Sequence, residues 1–375
     1  MPGLYLHIPF CRKACTYCDF HFSTSINGRN VLLNAMGLEL QKRATELQGA
    51  TVSTIYFGGG TPSLLDPASI AAFLHQAHEL FAVENNAEVT LETNPDDVTN
   101  DRLKAWRDAG IDRLSLGTQS FRDDRLKWMG RAHDAAQARQ SIALIAKAGF
   151  TSWTIDLIYG LPEMSLAEWD EQLAIALDHG IPHLSAYCLT VEPRTALAHQ
   201  VGRQQVHMPG DDQQSSQFDH LIDRMEVAGL EQYEISNFGR PGHWSRHNMN
   251  YWRGVPYLGI GPSAHSFDGR TRRWNVAHNA RYIKALAQGN FYWESETLTP
   301  AQRTNERLLT GLRTAHGLEV SELEIDALRI NATWVRRYQE RGELVLNAGR
   351  LALTRAGRHF ADRIAADLFV SDDDR

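Results

Sequence analysis

Apolar and polar positions alternate in blocks along the first half of the chain. Short apolar runs of strand length, Leu4–Ile8, Val52–Phe57, Glu88–Glu92, Arg113–Leu116, Trp153–Ile158 and Leu184–Leu189, are separated by longer stretches with helical spacing. These are Arg29–Gln48, Ala68–Leu80, Asp101–Ala109, Ala135–Ala148 and Leu166–Asp178. Several helical stretches end on a glycine stop, as in D-A-G-I at 108–111, K-A-G-F at 147–150 and D-H-G-I at 178–181. Strand, helix and strand at this interval predict βα units on a parallel sheet. Six units suit an α/β fold, a partial (β/α)6 TIM-like barrel over residues 1–200.

Beyond residue 200 the character changes. A polar stretch at Gln200–Gln217, a helix at Asp219–Gly229, and two polar–aromatic strings, H-N-M-N-Y-W at 247–252 and Y-L-G-I-G-P-S-A-H-S-F at 257–267, make an accessory region over 201–299. From Pro300, amphipathic helices at Arg303–Arg313 and Ala332–Arg341 precede an alternating stretch, Gly342–Leu353, that turns at N-A-G-R. With a closing helix, this predicts an α+β, winged-helix-like C-terminal domain over 300–375, ending in a solvated S-D-D-D-R tail.

In barrels of this kind chemistry sits where the strands end. The first strand runs into C-x3-C-x2-C, with Cys11, Cys15 and Cys18. Soft thiolates select zinc, copper(I) or iron–sulfur clusters. A closed zinc site takes four ligands, and the only other cysteine is Cys188, so His7 and His21 would have to complete it. A disulfide leaves one of the three unpaired. Three thiolates on one loop suit a [4Fe–4S] cluster with one iron open, since full ligation takes four cysteines.

The second strand runs into Gly58-Gly59-Gly60-Thr61-Pro62, read either as a tight turn or as backbone N–H groups brought close to a ligand. It lacks the lysine of a phosphate-binding loop. Strand three ends at Glu92, strand four at Gln119, strand five carries Asp156, and strand six ends near Tyr187 and Cys188, the latter read as a buried small residue. Glu92 and Asp156 lie in apolar surroundings and need a partner or a cationic ligand, unless they cap the following helices. His247 beside Tyr251 and Trp252 reads as a hydrogen-bonded packing corner or as a haem-binding surface.

The net charge of −7 and pI near 6.1 argue against a nucleic-acid binder that works through bulk electrostatics. No apolar run reaches the ~20 residues of a membrane span. Cys11 comes too early to leave room for a signal peptide, and clustered thiols fit a reducing compartment, so a cytoplasmic protein is expected.

The flanking Y-x-H-I-P-F-C and the C-x3-C-x2-C loop resemble the radical S-adenosylmethionine (SAM) enzymes, in the group of oxygen-independent coproporphyrinogen III oxidases and their relatives. That resemblance implies a [4Fe–4S] cluster on Cys11, Cys15 and Cys18 whose open iron chelates SAM, and one-electron cleavage of SAM to a 5′-deoxyadenosyl radical. It implies SAM contacts at Tyr5, Gly59, Gly60, Thr61, Glu92, Gln119, Arg131 and Asp156, with Arg131 paired to the SAM carboxylate.

Two functions compete within the family: oxidative decarboxylation of coproporphyrinogen III, and haem delivery by the haem-chaperone branch. Three features favour the chaperone. Phe20 stands where the oxidases have a further cysteine, only ten residues precede Cys11 where they have a long extension, and H-N-M-N-Y-W resembles a haem-binding motif. The motif implies haem contacts at His247, Asn248, Tyr251 and Trp252. Implied partners are haem, apo-haemoproteins as recipients and an electron donor. An open iron could also be shared or capped in a homodimer.

Overall fold

The structure, a computed structural model, describes residues 1–374; Arg375, the end of the acidic tail, lies outside them. Six strands, β1 (Gly3–Ile8), β2 (Val52–Gly59), β3 (Val83–Thr93), β4 (Arg113–Gln119), β5 (Ser152–Tyr159) and β6 (His183–Cys188), pair in parallel in chain order. Helices α1 (Arg29–Lys42), α2 (Pro67–Leu80), α3 (Asn100–Ala109), α4 (Asp123–Met129), α5 (Ala135–Lys147) and α6 (Leu166–Asp178) connect them. All six predicted strands and five of these helices match the sequence pattern; α4 is too short to show a helical period.

The strands alternate with period two, and that alternation builds the site. Leu4, Leu6, Ile8, Ile55, Phe57, Leu91, Leu114, Leu116, Ile155, Leu157 and Leu184 belong to one apolar core with the helices. The residues between them, Tyr5, His7, Thr54, Tyr56, Thr90, Glu92, Ser115, Asp156 and Ser185, line a polar interior. Parallel strands bring their C-terminal ends to one rim.

The sheet continues past both ends of the six. After α7 (Ala196–Gly202) and α8 (Asp211–Val227), β7 (Glu231–Glu234) and β8 (Asn237–Gly239) add antiparallel strands beside β6. After α9 (Arg246–Trp252), β9 (Tyr257–Ile260) pairs parallel with β1. Then β10 (His265–Phe267), β11 (Thr271–Asn275), α10 (Asn279–Ala287) and β12 (Trp293–Thr297) follow, the strands antiparallel, giving twelve in one sheet. Helix α8 starts earlier than the expected Asp219. Its glutamines look loop-like in sequence, yet Gln213 and Gln217 donate to the Met164 carbonyl at 2.6 and 2.8 Å.

A buried ion network fastens α1 to β9–β11. Arg43 bonds Glu39 at 2.8 Å, Glu46 at 2.9 Å, the Gly259 carbonyl at 2.9 Å and Ser266 at 3.0 Å. Glu39 also accepts from Gly261 N–H, Asn275 and Tyr282.

The C-terminal part comprises α11 (Pro300–Leu312), β13 (Leu318–Glu319), α12 (Ala327–Ile330), α13 (Ala332–Glu340), β14 (Leu344–Asn347), β15 (Arg350–Leu353), α14 (Arg355–Arg358) and α15 (Ala361–Asp367). It has its own core, with Leu308, Leu312, Leu351, Ile364 and Leu368, around a β13–β15–β14 sheet.

Candidate functional site

A cavity of about 570 Å³ opens at the C-terminal rim of the strands. Cys11, Cys15, Cys18, Gly59, Gly60, Thr61, Glu92, Gln119, Arg131 and Asp156 all line it. Residues far apart in sequence are therefore gathered by four strands, β2 to β5, the cysteine loop after β1 and the turn after α4 that carries Arg131. Tyr5 is not among the lining residues; it sits one layer deeper, its hydroxyl 3.1 Å from His7 Nδ1.

The cysteine loop is pinned from several sides. Cys11 N–H donates to the Ser23 carbonyl at 3.0 Å, and Thr16 N–H to that of Met129 at the end of α4 at 3.1 Å. Arg12 bonds Asp97 at 2.5 Å and Asp96 at 3.1 Å, just beyond β3. Thr61 Oγ1 donates toward Cys11 Sγ at 3.7 Å, and Arg131 Nη1 reaches Cys15 Sγ at 3.3 Å. All three cysteines are free and half-buried. Burial pushes the Cys11 thiol up, and the Cys18 thiol up to about 11, so a metal that takes these thiolates displaces protons. Among the described residues no three His, Cys, Asp or Glu side chains converge on a single ion position. Thiolates that bind separate irons of one cluster need not do so.

The glycine turn needs its glycines. Gly59 has φ +110°, and a Cβ there would lie 2.7 Å from the His7 ring. A Cβ on Gly60 would meet the Phe10 carbonyl oxygen at 2.7 Å. Gly59 N–H donates to Glu92 Oε2 at 3.1 Å, and Tyr56 OH to Oε1 at 2.8 Å. Burial, with a contribution from Asp156, raises Glu92 to about 7 against those hydrogen bonds. Asp156, facing Ser115 Oγ at 3.5 Å, is raised by burial to about 6. Two buried carboxylates lining one cavity make a place that favours positive charge.

Arg131 donates from Nη2 to Asn94 Oδ1 at 2.6 Å and to the Gly117 carbonyl at 2.9 Å, while its buried Nε has no partner among the described residues. Asn94 in turn donates to Thr61 at 3.1 Å. Sequence reasoning missed Asn94 and Tyr56. A polar residue at a strand end before Pro95 was a readable signal for Asn94; a tyrosine inside an apolar strand gives none for Tyr56. Gln119 takes φ +65°, the left-handed region, at the end of β4. Cys188, expected to be buried, is half-buried and lines the cavity. The antiparallel pairing of β8 against only the first half of β6 leaves its end open to the cavity.

The H-N-M-N-Y-W string lies at the opposite end of the strands. His247 is buried on α9, with Nδ1 2.8 Å from Thr54 Oγ1 and Nε2 3.0 Å from Tyr251 OH. Both ring nitrogens are thus engaged, and burial lowers its pKa to about 3. Asn248 and Trp252 are half-buried, the Trp252 ring lying 5.0 Å from the Arg313 guanidinium. The structure does not bring His247 to the cysteine cavity.

Residues 5–174 match the Radical SAM superfamily, and residues 298–360 the HemN C-terminal domain. A protein of Mycobacterium tuberculosis named Heme chaperone HemW is 36% identical over 98% of this chain and 94% of its own length. This chain belongs to the HemW family of radical SAM proteins. A family member from Escherichia coli is 37% identical over 78% of this chain and 77% of its own length, and one from Bacillus subtilis is 33% identical over 85% of each. The coproporphyrinogen III oxidase of E. coli, a radical SAM enzyme, shares the fold, with TM-score 0.84 at 24% identity over 98% of this chain and 90% of that one.

Membership of the superfamily implies a [4Fe–4S] cluster and SAM. The donor set fits both groups: three free thiols on one loop, an arginine with an unpartnered buried nitrogen beside them, and two buried carboxylates across the cavity.

Proposed function

We propose that this chain is a haem chaperone that holds a [4Fe–4S] cluster and SAM in the rim cavity and delivers haem to apo-haemoproteins in the cytoplasm. The observation that carries this reading is the likeness, over almost the whole chain, to proteins named Heme chaperone HemW. Phe20 supports it: the ring stands exposed at the cavity mouth, where the oxidases were expected to place a further cysteine. A loop that must keep three thiols free supports a reducing compartment.

Cys11, Cys15 and Cys18 hold the cluster. Bound there, cluster and SAM supply one-electron reductive cleavage chemistry, fed by an electron donor. Glu92 and Asp156 would meet the cationic parts of SAM, and the Gly59–Thr61 turn and Gln119, which line the same cavity, would complete its binding site. Arg131, which already reaches Cys15 Sγ through Nη1, would pair with the SAM carboxylate. Tyr5 acts from below. Haem at His247, Asn248, Tyr251 and Trp252 requires α9 to leave its seat, because an iron can reach the His247 ring only by displacing Thr54 or Tyr251.

Cys15→Ser tests the separation of the two cargo sites. The variant is expected to lose the iron–sulfur absorbance while the full-length chain still takes up haem and passes it to an apo-haemoprotein, followed by visible spectroscopy. Loss of haem uptake with an unchanged circular dichroism spectrum contradicts separate sites. Failure of the wild-type chain to transfer haem at all contradicts the chaperone reading.

A further inference from the structure

We propose that His247 is a positioning residue of the SAM site, acting through Tyr56 and Glu92. This rests on the reading of the rim cavity as the SAM site. Beneath the cavity the barrel interior is filled by a stack of rings. His247 and Tyr56 lie 4.8 Å apart between centroids and 24° from parallel, with Tyr5 6.1 Å from Tyr56 and 6.4 Å from His247. Tyr251 meets His247 edge-on, with 4.8 Å between ring centroids. At the top of the stack the Tyr56 hydroxyl donates to Glu92 Oε1.

The base of the stack is fixed as firmly as the top. Glu88, buried on β3, accepts the backbone N–H groups of Arg246 and His247, each at 2.9 Å, at the start of α9. Ser245 caps the same turn through Asn248 N–H at 3.3 Å. Thr54 holds Nδ1 and Tyr251 holds Nε2, so the imidazole cannot rotate without breaking a buried hydrogen bond.

No slack separates the stack from the cavity floor. A Cβ on Gly58 would lie 2.8 Å from the Tyr56 ring and 3.0 Å from both Glu92 Oε1 and the Tyr5 ring. Removing the His247 ring leaves a void beneath Tyr56. The tyrosine then settles toward it, its hydroxyl leaves Glu92, and the carboxylate loses one of the two donors that aim it. The H-N-x-x-Y-W segment is, on this reading, the floor of the SAM site while α9 is seated, whatever else it does when it is not.

The test uses the full-length, cluster-reconstituted chain and measures SAM affinity by calorimetry and by the SAM-induced change in the paramagnetic resonance spectrum of the reduced cluster. His247→Ala is expected to weaken SAM binding about tenfold or more with the iron content unchanged. His247→Phe, which refills the space under Tyr56, is expected to recover most of that loss. Tyr56→Phe, which keeps the stack but not the hydroxyl, is expected to weaken SAM binding as His247→Ala does, and adding His247→Ala to it to change little more.

Glu92→Gln is the control. If it weakens SAM binding while His247→Ala and Tyr56→Phe bind SAM as the wild type does, the positioning role is wrong. If Glu92→Gln itself binds SAM normally, the reading of the cavity fails. Should His247→Ala not fold, normal SAM affinity in Tyr56→Phe alone overturns the inference.

Discussion

Glu92→Gln is expected to weaken SAM binding by at least about 30-fold and to change how stability depends on pH in the cofactor-free protein. The first effect follows from removing one side of a buried, hydrogen-bonded charge pair, which costs about 2 kcal/mol or more. The second follows from the raised pKa. Glu92 moves from an ordinary 4.5 to about 7 because it is buried, with Asp156 near it and only two donors on its oxygens. The folded chain therefore holds the Glu92 proton more tightly than the unfolded chain. Stability from this group is full below pH 4.5, falls as pH rises, and levels off above about 7, a swing on the order of 3 kcal/mol. Asp156, raised to about 6, adds a second loss of the same sign at slightly lower pH. Urea unfolding of the cofactor-free protein from pH 4.5 to 8 measures the swing. The wild type should lose more stability over that range than Glu92→Gln. Parallel curves for the two proteins contradict the account of the cavity as a place that waits for positive charge.

Arg43→Met is expected to destabilise the fold by about 3–5 kcal/mol, which is what breaking one partner of a buried ion pair costs. Glu39 is wholly buried and organises Gly261, Asn275 and Tyr282 as well as Arg43. Without the guanidinium its charge is left uncompensated, and Glu46, Ser266 and the Gly259 carbonyl lose a donor. Pairing Arg43→Met with Glu39→Gln removes the stranded charge and is expected to recover part of the loss. Thermal unfolding followed by circular dichroism decides it. A melting curve unchanged in Arg43→Met contradicts the view that this network fastens β9–β11 to α1.

The parts of this molecule that were legible in the sequence are those where local pattern and tertiary role coincide. The six parallel strands are apolar enough, on the face they show to helices, to stand out from the polar turns around them. Strand ends carry the cysteines, the glycines, Glu92 and Asp156, so a search restricted to strand ends finds most of the cavity. What stayed hidden depends on neighbours distant in the chain. Strands β7–β12 are only three to five residues long, and they become strands by adding outward from the edges left by β1, which takes β9, and β6, which takes β8. Tyr56 and Thr54 read as ordinary strand residues until the fold sets α9 beneath them. His247 was the instructive case: its sequence surroundings suit a hydrogen-bonded packing corner as well as a haem ligand, and in the fold a buried carboxylate, a threonine and a tyrosine enclose it as the packing corner.

The most direct test of the central claim is anaerobic turnover by the cluster-reconstituted full-length chain, given SAM, a reductant and coproporphyrinogen III, with products separated by chromatography. The account predicts no protoporphyrinogen IX from a preparation whose cluster is spectroscopically intact and which binds haem and hands it to an apo-haemoprotein. Protoporphyrinogen IX accumulating together with 5′-deoxyadenosine would make the chain an oxidase and contradict the chaperone reading.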